Sequence, residues 1–146
     1  MSKPDRVLHE IARRIMKMRS PGAPATAAAA AESMQLSCGD LYRTLETLMG
    51  ASGLQALLDR AIQITARDHP WLAAVKAGSA ADCALSGLSE ASEEMSAKQA
   101  TEGCAALLAT ILWLLITLIG EDLTLRFVRH AWPNVPFTKL SEGSNE

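Results

Sequence analysis

Aromatic side chains are scarce in this chain, 4% of 146 residues, and β-branched residues are few beside alanine and leucine. Strands are enriched in both of the scarce kinds, so the composition favours helices. Cysteine is also sparse. Cys38, Cys83 and Cys104 are odd in number, and no two form a Cys-x-x-Cys pair. That argues against a disulfide framework and a thiolate zinc site, and it fits a reducing, cytoplasmic location. Neither sign of charge dominates. A formal net charge of −2 gives the chain no electrostatic reason to seek nucleic acid, so no nucleic-acid partner is expected.

The signatures of common chemistry are missing. A di-iron helical site needs Glu-x-x-His, which sets both ligands on one helix face. Three residues before His9, His69 and His130 lie Arg6, Ala66 and Phe127, and Glu90, Glu93 and Glu94 cluster without a histidine. There is no HExxH, GxGxxG, P-loop or GxSxG. No catalytic, metal or cofactor residue is therefore assigned, and no enzyme is expected. Val7 to Met18 is broken by charges and offers no apolar h-region, so a signal peptide is not expected either.

What is present is helical pattern. PDRVLHEIARRIMKMRS places Val7 or Leu8, Ile11, Ile15 and Met18 on one stripe, and Ser20, Pro21 and Gly22 end it. SPGAPATAAAAAES follows as a low-complexity connector, flexible at its front and with little to bury in Ala27 to Ala31. A second helix is expected from Ser37, with Asp40 as its capping partner, to Gly50. A third starts at the Ser52–Gln55 capping box and yields near Pro70. Residues 76–89 read as a loop with one helical turn, and no strand pattern of useful length appears. A long helix is expected from Ser89 to Gly120. A last one, EDLTLRFVRHAW, has acids at its start and Arg129 and His130 near its end, as the helix dipole favours.

These readings predict an all-α fold, a four- to five-helix bundle around a central hydrophobic helix and completed by dimerisation. Residues 1–33 form a basic arm and linker, 34–137 the bundle domain and 138–146 a disordered tail.

The stretch CAALLATILWLLITLIG, from Cys104 to Gly120, holds six Leu and three Ile and no charge. Its composition would insert into a bilayer. From Cys104 to Ile119, however, it spans only about 24 Å as a helix, against about 30 Å of hydrocarbon. Glu102, Glu121 and Asp122 flank it where cationic or aromatic anchors would be usual. A helix apolar on every side is also expected at the centre of a bundle, and the amphipathic stripes around Leu45, Leu58 and Phe127 need something to cover. The buried reading is preferred, with a membrane anchor over 104–120 as the alternative.

Three features point to contacts. Residues 1–20 carry Lys3, Arg6, Arg13, Arg14, Lys17 and Arg19 against Asp5 and Glu10, a surface-seeking pattern with an apolar reverse side. Arg126, Phe127, Arg129 and Trp132 combine types enriched in binding hot spots, with Phe137 nearby. His9 beside Glu10 loosely resembles a phosphotransfer or histidine-kinase helix, which would make His9 a phosphoacceptor. The Pro and Gly that accompany the histidine in those families are missing here. LYRTLETLMGASGLQALLDRAI has the outline of a helix-turn-helix, but its second helix opens with residues suited to burial. The expected function is a small cytoplasmic regulatory or adaptor module, homodimeric and binding a protein partner through Arg13, Arg14, Lys17 and the last helix.

Overall fold

The computed structural model describes residues 6–19, 26–80, 83–133 and 135. The expected tail at 138–146 and Phe137 lie outside them. Five α-helices and one two-stranded hairpin make up the described chain, an all-α fold with a small β element.

Helix α1 (Arg6–Arg19) turns its apolar stripe inward, burying Leu8, Ile11, Ala12, Ile15 and Met16. Helix α2 (Ala27–Thr65) starts well before Ser37, where Thr26 caps it by accepting the Ala29 N–H at 3.1 Å. The alanine run does have something to cover, since Ala30 and Ala31 are fully buried. Ser33, nearby, donates its hydroxyl to the Met16 carbonyl at 2.6 Å. Small side chains allow this approach between the two helices. Asp40 is no cap, because it lies in mid-helix.

Gly50 divides α2 into arms of residues 27–49 and 51–65. Its φ of 75° and ψ of 165° are open in practice only to glycine. The arms fold back on one another. Gln35 and Asp59 differ by 24 positions and would stand about 36 Å apart on a straight helix. Both instead reach the same hairpin, β1 (Lys76–Ala80) with β2 (Cys83–Ser86), at the facing residues Ala77 and Leu85.

The hairpin corrects the expectation of a loop over 76–89. Its strands are short and rich in small residues, without the alternation that marks a strand. Side chains of α2 hold its edges. The Gln35 carboxamide accepts the Leu85 N–H at 3.2 Å and donates to the Leu85 carbonyl, as a neighbouring strand would. Asp59 accepts the Ala77 N–H at 3.0 Å.

The expected long helix from Ser89 is two helices, α3 (Leu88–Ser92) and α4 (Ala97–Ile119). A capping box restarts the chain: Ser96 accepts the Gln99 N–H at 3.1 Å and Gln99 accepts the Ser96 N–H at 3.0 Å. Helix α4 packs against α1, α2 and α5 (Glu121–Ala131). Gly103 sits so close to Trp71, in the short 3₁₀ turn Pro70–Ala74, that a β-carbon there would fall 2.6 Å from the indole ring. All residues from Gly103 to Leu112 are buried, and Leu115 with them. Gly120 then ends α4, with φ 88° and ψ 160°, and α5 turns back along it.

Candidate interaction surface

The apolar stretch has two unlike halves. Up to Leu112 it is core. Beyond Leu112 only Leu115 is buried, while Trp113, Leu114, Ile116 and Ile119 are half-exposed and Thr117 is exposed. Leu118, 63% exposed, is the most open large apolar side chain among the described residues. Leu114 and Leu118 are four residues apart and share one side of the helix. Helix α5 adds Leu123, Leu125 and Phe127, all half-buried, around an inner stripe of Thr124, Val128 and Trp132. The α4–α5 turn is thus an apolar tip rimmed by charge: Glu121 and Asp122 at the turn, then Arg126 and Arg129 along α5. A shallow cleft on this tip is lined by Ile119, Gly120, Glu121, Asp122, Leu123 and Arg126.

Of the residues expected to make contacts, Arg126 and Arg129 are exposed and Phe127 is half-buried. Trp132 is not a surface residue. It is fully buried, and its indole N–H donates to Asp40 Oδ2 at 3.0 Å, fastening the end of α5 to α2. A buried indole needs such an acceptor, which fixes Trp132 inside. Asp40 also faces Arg43 at 3.7 Å.

On α1, Arg13, Arg14 and Lys17 point to solvent, and Arg14 pairs with Glu10 at 3.6 Å. The reverse side of α1 is committed to the core, so this helix has no apolar face left to lay on lipid or in a groove. Only its charged side remains available. His9 is half-buried on the same helix, and nothing described brings α1 to the α4–α5 tip as one site.

Two thiols lie deep in the core. Cys38 and Cys104 are free and buried. Burial pushes the Cys104 thiol up to about 12. Burial first, then Cys104 and Asp40 nearby, pushes Cys38 up as well. Neither is poised as a nucleophile. Among the described residues, no three His, Cys, Asp or Glu side chains gather as metal ligands.

The exposed tip, with Leu118 and Asp122, was missed by sequence reasoning. Its one signal was the length of the apolar run, which exceeds what the helices around it can cover. The chain matches no family model, no curated protein and no solved structure.

Proposed function

We propose that this protein is a small cytoplasmic helical bundle that acts by protein–protein contact, as a homodimeric regulatory or adaptor module with the α4–α5 tip as its contact surface. The exposure of Leu118 beside half-covered Leu114, Ile119 and Leu123 is the observation that carries this reading. Contiguous apolar surface rimmed by polar groups is what interaction sites present. A second copy supplies the matching apolar surface, and the tip carries both acid and base, so it complements itself as a two-fold contact requires.

Helix α4 is also long and apolar enough to cross a membrane, with 23 residues and a mean hydropathy of 2.1 in its most apolar window. Two observations weigh against that use. Spanning would strip Gly103 to Leu112 of the core they form. Shallow insertion of the tip alone would drive Glu121 and Asp122 deepest, the costliest place for carboxylates. The exposed basic side of α1, with Arg13, Arg14 and Lys17, serves as a second contact surface for an acidic protein partner.

Size-exclusion chromatography with light scattering, without detergent, tests the reading. The wild-type chain is expected at twice its monomer mass, and Leu118→Glu as a monomer with unchanged helical circular dichroism. A wild-type monomer at every concentration up to hundreds of micromolar would overturn it. So would protein found only in the membrane fraction.

A further inference from the structure

We infer that Asp122 and Arg126 choose the second copy and fix its register, each reaching across a two-fold axis to the other's counterpart. This rests on the dimer reading above and adds to it the residues that decide which chain docks, and how.

Both side chains are exposed on α5, four residues apart with the acid nearer the N-terminus. That order is the favourable one for a pair within a helix. Yet no ion pair joins them, and among the described residues neither Asp122 nor Arg126 has an ionic partner. Their neighbours Glu121 and Arg129 are already engaged within the chain. Asp122 and Arg126 also line the same shallow cleft, together with the apolar Ile119 and Leu123. The charges left uncommitted therefore sit where the apolar tip is open.

A two-fold contact meets its own patch in reverse. When two α5 helices cross antiparallel at the level of Thr124, position 122 of each copy faces position 126 of the other, twice over. Crossing parallel would set like charges together, so the sign pattern selects the antiparallel arrangement. Ile119 and Leu123 exclude water from the pair, which strengthens its attraction. A lipid surface has no matching alternation of acid and base, and an acidic partner would be repelled by Asp122.

The test exchanges charges between copies. Asp122→Arg and Arg126→Asp are made singly, and each is run by light scattering at concentrations where the wild type is dimeric. Each alone places like charges opposite one another and is expected to raise the dissociation constant roughly tenfold or more. Mixed one to one, with one variant carrying a mass tag, they restore attraction at both contacts and are expected to form mixed dimers. Pairing within a helix cannot produce that rescue. Circular dichroism confirms that each variant is folded, and Asp122→Lys with Arg126→Glu repeats the test with different side chains. Single variants that dimerise like the wild type, or a mixture that stays monomeric, would overturn the inference. If Leu118→Glu still dissociates a wild-type dimer, only the register is wrong; if the wild type is itself monomeric, the dimer reading falls too.

Discussion

Trp132 and Tyr42 are both buried aromatic side chains with a polar end, and the core treats them differently. The Trp132 indole donates to Asp40, whereas the Tyr42 hydroxyl has no hydrogen-bond partner among the described residues. A buried group without a partner has lost its water for nothing, while a donor to a carboxylate makes one of the stronger hydrogen bonds. Trp132→Phe is expected to cost about 2 kcal/mol in urea unfolding. Tyr42→Phe is expected to leave stability unchanged or raise it by about 1 kcal/mol. Equal losses in the two variants would show that the Tyr42 hydroxyl is as well satisfied in the core as the Trp132 indole.

The two core thiols give stability a dependence on pH. Both folded-state values are raised, that of Cys104 from 9.0 to about 12. Above pH 9 the unfolded chain sheds these protons while the folded one keeps them. Stability from this source is therefore complete below pH 9 and falls as pH rises from there towards 12. The expected slope is about 1.4 kcal/mol per pH unit for each thiol. Replacing both cysteines with alanine should make the curve flatter than that of the wild type in that window. A thiol reagent at pH 8 should label neither Cys38 nor Cys104 until the chain unfolds.

Among the elements, the two arms of α2 depend on one backbone conformation. A β-carbon at Gly50 would meet nothing within 4 Å, so Gly50→Ala tests the corner without a packing clash. The strain alone is expected to cost about 1–3 kcal/mol, read as a shift in the urea midpoint. A neutral outcome would mean that the corner tolerates ordinary backbone angles. This corner was legible in the sequence, because Gly50 stood out as a helix terminator between two apolar stripes. So were α1, α5 and the end of α4 at Gly120, each marked by periodicity with a breaker or a charge gradient. The hairpin was not legible. Its information lies in Gln35 and Asp59, well before it in the chain, and the small residues of β1 and β2 carry no pattern of their own. The early start of α2 was hidden for a related reason, since Ala30 and Ala31 are buried by contacts that composition does not reveal. Trp132 misled in the opposite direction: a hot-spot residue type is also a core residue type when an acceptor such as Asp40 waits inside.

Across the whole molecule, the decisive property is that one continuous apolar helix serves two environments. Leu108 is fully buried near the middle of α4, and Leu118 stands 63% exposed near its end, yet both are leucines in an uncharged run. A bilayer also separates the two positions, because it opposes a charge most at its centre and lets an arginine near a helix end reach the interface. The core and membrane readings therefore differ in the fraction that holds the folded protein, with or without detergent. Leu108→Arg places an unpaired cation in the core and is expected to abolish folding, read as loss of helical circular dichroism or of protein from the detergent-free fraction. Leu118→Arg adds a charge to a rim that already faces water, so it should leave helicity and thermal midpoint close to wild type while dissociating the dimer. Wild type and Leu118→Arg both recovered only with detergent would make α4 a membrane segment and remove the basis for a contact surface at its tip. An intact monomer from Leu118→Arg in the detergent-free fraction, beside an unfolded Leu108→Arg, places the boundary between core and surface inside α4, just past Leu112, and leaves the tip with contact as its role.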